Sequence, residues 1–256
     1  MKTQKIIFVT LIALVFATGC NKKNDTPSGG TTPLKIRMMD APGNFTQVNI
    51  DITSVVCKVN DGADITLNVI PGIYNLLTFV NGLDTMIASA SVPSGTLSQV
   101  RLILGPNNSV MVDGNLHPLE TPSAMQSGLK LNVHNTLIPG VEYILLLDFD
   151  ANQSIVLKGN GEYQLKPVIR TVSLASSGSV HGHLSPSVAL PAVISIGNGS
   201  LSFTTVTDAN GYFLVRGVTP GIYTATITPQ PPYAPYVLPG LTVTIGMLLE
   251  LGSIVL

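Results

Sequence analysis

The chain has no tryptophan, two cysteines, and an aromatic content of 5%. Charged residues make up 11%, against about 25% in an average soluble domain. Each scarcity excludes something. Thirteen Lys and Arg against 14 Asp and Glu, for a net charge of −1, leave no basic footprint for nucleic acid. Two cysteines cannot make a disulfide framework of the kind that staples small secreted domains. The longest apolar run, residues 6–16, covers about 11 residues and falls short of the ~20 that cross a bilayer. What the chain has in quantity is 24 glycines and 18 prolines scattered between short apolar stretches, the texture of a turn-rich β protein.

The first 20 residues have the parts of an export signal. Lys2 and Lys5 precede the apolar run, and small residues at Ala17, Thr18 and Gly19 lead to Cys20. Small residues directly before a cysteine resemble the lipobox of bacterial lipoproteins, with Ala17 standing where leucine is commoner. The resemblance implies that residues 1–19 are removed and that Cys20 is acylated and becomes the new N-terminus. Residues 20–33, polar and rich in Thr, Ser, Gly and Pro, read as a flexible tether. The expected address is therefore the cell envelope, lipid-anchored at the outer membrane, and the residues do not choose between its periplasmic and surface faces. With Cys20 acylated, Cys57 has no partner. It lies between Val55, Val56, Lys58 and Val59 and reads as a buried, inert thiol.

From Leu34 onward the apolar period is two. Val48, Ile50 and Ile52 alternate with polar residues, and the phase then slips by one before Val55, Cys57 and Val59, which predicts a β-bulge near Thr53 and Ser54. Residues 143–149 are apolar on both faces, which predicts a central strand. The stretch 74–90 admits a helical turn or two and no more. A break at residues 175–178 is followed by a second series of shorter strands, expected at 179–184, 192–196, 202–207, 212–216, 222–228, 241–245 and 249–256. The fold class read from this is all-β: two β-sandwich domains, Ig-like or transthyretin-like, at 34–174 and 178–256, after a signal peptide and linker.

Two family resemblances sharpen this. The motifs DAPG (40–43), TQVNIDIT (46–53), YNLL (74–77) with NG (81–82), QVRLIL (99–104), SGLKL (127–131), LDFD (147–150) and LKPVIR (165–170) make the first unit resemble the domain of unknown function numbered 4382. That family is common in exported lipoproteins of Gram-negative bacteria, which implies export and assigns no activity. TDANGYF (207–213) and GVTPGIY (217–223) make the second unit resemble carboxypeptidase regulatory-like domains, which implies a transthyretin-like sandwich. Within it, Asp208, Asn210 and Gly211 are expected to close a hairpin.

Candidate chemistry is sparse. Asp148 and Asp150 share a strand face, and with Asp40 they could form a Ca²⁺ site only if the fold brings six or more oxygens together; otherwise they meet water or pair with Lys130, Arg101 or Lys166. His181 and His183 form an H-x-H pair lacking a third zinc ligand. His117 and His134 stand apart. Ser127 has no nucleophile-elbow context. In residues 229–236, prolines favour an extended polyproline course with Tyr233 and Tyr236 one turn apart, an edge that a glycan or an envelope protein could use. The reading is a non-enzymatic, membrane-anchored lipoprotein with a binding or scaffolding role and no cofactor. A carbohydrate-binding surface lipoprotein is the first rival, and a metal- or carboxylate-dependent enzyme the second.

Overall fold

In a computed structural model, described for residues 29–41, 45–121 and 127–256, the alternating segments become strands arranged in two sandwiches. The first contains β1 (Thr31–Ala41), β2 (Gln47–Val59), β3 (Ile65–Thr66), β4 (Asn68–Val69), β5 (Gly72–Asn75), β6 (Thr85–Pro93) and β7 (Gly95–Leu104). It continues with β8 (Ser109–Val112), β9 (Asn115–Glu120), β10 (Leu129–Leu137), β11 (Tyr143–Asp150), β12 (Ile155–Leu157), β13 (Tyr163–Leu165) and β14 (Ile169–Ser173). A five-stranded sheet in the order β14-β11-β1-β6-β4 faces a nine-stranded one built around β10-β7-β2-β8-β9-β13-β12. Leu34, Ile36 and Met38 from the first sheet and Val48, Ile50 and Ile52 from the second are sealed in the core between them.

The predicted bulge is present: the pairing of β2 with β7 shifts register between Ile52 and Ser54. The shift allows both halves of one strand to keep their apolar residues on the core side. The admitted helical turn is a single 3₁₀ turn at Leu76–Thr78, capped by Asn75, whose side chain accepts from the Leu77 N–H. The predicted central strand is β11, paired in parallel with β1 and antiparallel with β14.

The second sandwich contains β15 (Gly178–Ser185), β16 (Val193–Gly197), β17 (Ser202–Val206), β18 (Tyr212–Val218), β19 (Gly221–Thr228), β20 (Tyr236–Val243) and β21 (Leu248–Val255). Three strands in the order β18-β15-β21 pack on four in the order β17-β16-β19-β20, around Ile194, Ile196, Phe203, Phe213 and Tyr223. One expectation is corrected. Residues 208–211 do form a tight turn, in which Asp208 accepts from the Asn210 and Tyr212 N–H groups. It does not close a hairpin, because β17 pairs with β16 and β18 with β15. The turn hands the chain from one sheet to the other.

The outer face of the five-stranded sheet explains why β11 is apolar on both sides. Met39, Leu146 and Val172 form a small buried cluster there, apart from both cores. The second sandwich covers that face.

Candidate functional site

Asp84, just ahead of β6, has a side chain only 5% exposed and is shared by two arginines. Arg37 from β1 donates through Nε to one carboxylate oxygen, and Arg216 from β18 donates through Nη1 to the other. Arg216 also donates to the Gly82 carbonyl at 3.1 Å. A carboxylate with so little water around it needs charge-assisted partners to offset its desolvation. Here one partner comes from each sandwich.

Next to this bridge, Asn81 acts as a substitute strand. Its Oδ1 accepts from the Leu214 N–H at 2.7 Å, and its Nδ2 donates to the Tyr212 carbonyl at 3.2 Å. Those groups belong to β18, an edge strand of its sheet, so the side-chain amide satisfies backbone groups that an edge would otherwise leave open. Asn81 and Gly82 reach this position with φ of 55° and 76°.

Arg170 holds the other end of the junction. It lies directly across from Asp148 in the β11–β14 pairing and donates through Nη2 to that carboxylate. Through Nη1 it donates to the Ser202 carbonyl of the second sandwich at 3.1 Å, and its guanidinium carbon lies 4.0 Å from the centre of the Phe203 ring. A planar, multi-donor cation can serve all three at once. A crevice of about 170 Å³ opens beside it, lined by Ala41, Asp148, Phe149, Asp150, Gln153, Val168, Arg170, Ser202 and Thr204.

The three candidate metal ligands are divided among separate partners. Asp40 is in register with Phe149, a residue of the first core, whereas Asp148 is in register with Met39 on the outer face. The two carboxylates therefore leave the sheet on opposite sides. Asp40 Oδ1 accepts from the Ala151 N–H at 3.0 Å. Burial pushes its carboxyl up to about 8, and the nearby Asp148 and Asp150 charges add to the rise against the pull of the Ala151 bond. Burial also raises the Asp148 carboxyl, while Arg170 pulls it back. Asp150 caps the single helical turn Ala151–Ser154 by accepting from the Gln153 N–H at 2.9 Å. Among the described residues no group of three or more His, Cys, Asp or Glu is placed to hold a metal ion.

The other candidates are scattered. His181 and His183 lie on β15, with the His181 ring 6.2 Å from Tyr212. His117 packs 5.0 Å from Tyr163, and His134 has a φ of 59° at the irregularity in the β10–β7 pairing. Residues 230–233 turn back, with the Tyr233 N–H donating to the Gln230 carbonyl at 3.2 Å. The expected polyproline course is therefore broken before Tyr236, which opens the edge strand β20. Cys57 is buried, and that burial pushes its thiol up to about 11. Cys20 and the export signal lie outside the described residues, as does most of the tether. No helix among the described residues is long and apolar enough to cross a membrane.

Sequence reasoning missed Arg37, Asp84 and Arg216, and saw Asn81 only as part of a turn. One signal was available. The chain has four arginines, and three of them, Arg37, Arg170 and Arg216, stand at this junction.

The family model described as "Domain of unknown function (DUF4382)" matches residues 31–167. The chain belongs to this family. The DUF4382 match takes in Arg37, Asn81, Asp84 and Asp148 and stops just before Arg170, so most of the first sandwich's docking surface lies within it. No curated protein matches the chain. Among solved structures, a chain from a type II cohesin–X–dockerin complex of Acetivibrio cellulolyticus is 27% identical over 30% of this chain, with a TM-score of 0.25. This chain spans about half, 52%, of that one. The shaft pilin SpaA of Lactobacillus rhamnosus GG is 10% identical, with 89% of this chain and 96% of the pilin covered and a TM-score of 0.22. Superpositions that loose say nothing about what this chain binds.

Proposed function

We propose that this chain is an exported lipoprotein, held on the outer membrane through acylated Cys20, whose two sandwiches form one docked platform with a non-catalytic binding or scaffolding role. The second sandwich is, on this reading, a carboxypeptidase regulatory-like module. The turn at residues 208–211 supports that: Asp208 organises it, and Gly211, at a φ of +89°, packs against the Leu184 backbone where a side chain would not fit.

The observation that carries the platform reading is the sharing of Asp84 between Arg37 and Arg216. Of the ion pairs at the junction, Arg216–Asp84 crosses between the two units, while Arg37–Asp84 and Arg170–Asp148 lie within the first. An acid–base pair for catalysis would need a carboxylate facing a substrate with its protonation tuned to the task. Asp84 holds two arginines and Asp148 one instead, and Asp40 is enclosed and accepts from a backbone N–H.

Anchoring is tested in a Gram-negative host that makes the whole chain. The parent should fractionate with membranes and carry acyl chains on Cys20 by mass spectrometry, and Cys20→Ala should move it to the soluble fraction. Unchanged membrane fractionation of Cys20→Ala would end the reading.

A further inference from the structure

The described chain enters the first sandwich at a defined place. Gly30 accepts through its carbonyl from the Ser94 N–H at 2.9 Å, and Thr31 accepts from the Gly140 N–H at 2.9 Å. Thr32, fully buried, donates from its hydroxyl to the Ile138 carbonyl at 2.8 Å. The entry point is thus tied to the turn at residues 138–141, which the Val141 N–H closes onto the Ile138 carbonyl at 3.2 Å with Gly140 at a φ of +72°. At the two ends of that turn, Ile138 is 57% exposed and Val141 53% exposed, with Pro139 between. In a four-residue turn of this kind the first and last Cα atoms are within about 7 Å of each other, so the two exposed apolar residues stand together at the base of one turn.

We propose that this turn is a membrane-contacting surface on which Ile138 and Val141 rest in the lipid headgroup region. The proposal rests on the anchored reading, because the chain outside the described residues determines what the patch faces. Cys20 precedes Gly29 by nine residues, which drawn out fully span at most about 30 Å. An acyl anchor at Cys20 therefore keeps the entry point, and the turn bonded to it, within about 30 Å of the bilayer. Once one end is held, the second contact becomes intramolecular, and two aliphatic side chains suffice where they would fail alone.

The absence of tryptophan from the chain makes a clean test. A chain starting at Cys20, which leaves every described residue in place, is coupled through that thiol to a maleimide lipid in phosphatidylethanolamine–phosphatidylglycerol vesicles with brominated acyl chains. Cys57, 1% exposed, does not compete. The sole indole of Val141→Trp should be quenched at least about twofold more than that of Ile222→Trp, as a side chain reaching the headgroup–acyl boundary would be. Ile138→Trp provides an independent second reporter should the first substitution disturb the turn. Equal quenching of the 138 and 141 reporters and the 222 reporter overturns the proposal, whatever the state of Cys20 in cells. An acyl-free Cys20 in the native host would end the anchoring reading and this proposal with it, whereas equal quenching with Cys20 acylated would end the proposal alone.

Discussion

A Cβ added to Gly82 would stand 2.6 Å from the Cδ2 of Leu214, a residue of the other sandwich. The two units are packed to the limit at this point, and Gly217 repeats the arrangement in the opposite direction, its missing Cβ 2.7 Å from Val172 Cγ1. Gly82→Ala should therefore loosen the junction as well as strain a residue at φ +76°. Gly114→Ala separates the two effects, since Gly114 has φ +75° and nothing within 4 Å. Backbone strain alone costs on the order of 1 kcal/mol at either site. The expected result is a larger drop in the urea midpoint for Gly82→Ala, with a larger radius of gyration by small-angle scattering. Equal losses and unchanged scattering would show that the contact does not hold the units together.

Asp84 and Arg216 should be energetically coupled. Asp84→Ala leaves two guanidiniums facing each other at the junction, with an expected loss of about 2–4 kcal/mol. Arg216→Ala should cost less, because Arg37 still pairs with the carboxylate. In a double-mutant cycle the coupling should come to about 1–3 kcal/mol, measured by denaturant unfolding of the whole chain. A coupling near zero would mean that the bridge adds nothing to docking.

How much of this could be read beforehand depends on range. Within a strand the sequence was informative: the phase slip after Ile52 is the register shift against β7, and residues 143–149, apolar on both faces, became a doubly covered strand. Local turn chemistry was visible too, although at residues 208–211 it could not say which sheet the next strand joins. The Asp84 end of the junction was hidden because it joins residues more than 130 positions apart. Asn81 and Gly82 read as an ordinary turn, and nothing near them foretells that the amide caps Leu214, 133 residues later. Asp148 was seen as a candidate ligand, but its partner is the one residue that the β11–β14 register places opposite it, and that register is not written in the strand itself. Lys130, Arg101 and Lys166 were the partners anticipated; Arg170 is the one found.

Arg170→Lys tests whether planarity matters at the other end of the junction. Lysine could keep the charge on Asp148, but a single ammonium on a flexible stem cannot also lie flat on Phe203 and donate to the Ser202 carbonyl. The expected loss is about 1–2 kcal/mol, combining a cation–π contact and a hydrogen bond. Phe203→Leu in the Arg170→Lys background should then cost less than in the parent. Identical costs in the two backgrounds would mean that the stacking contributes nothing.

Asp40 should make stability depend on pH in a direction opposite to that of an ordinary salt-bridged acid. Its carboxyl rises from 3.8 to about 8, chiefly through burial, so the folded state holds a proton that the unfolded chain has released. The contribution is fully present below about pH 4, falls as the pH climbs, and is gone once the pH passes about 8. Asp40→Asn keeps a side-chain oxygen for the Ala151 N–H and cannot ionise. It should cost a little at pH 4, where its amide replaces a neutral acid, and gain on the parent steadily up to pH 8. The shift of Glu162, lowered by Lys158, is common to both chains and cancels in the difference, whereas the coupling of Asp40 to Asp148 and Asp150 is part of the contribution being read. Urea midpoints at intervals from pH 4 to pH 9 should therefore show the parent-minus-variant difference sloping downward. A flat difference would mean that Asp40 ionises as readily in the folded chain as in water, and that the enclosure seen around it opens in solution.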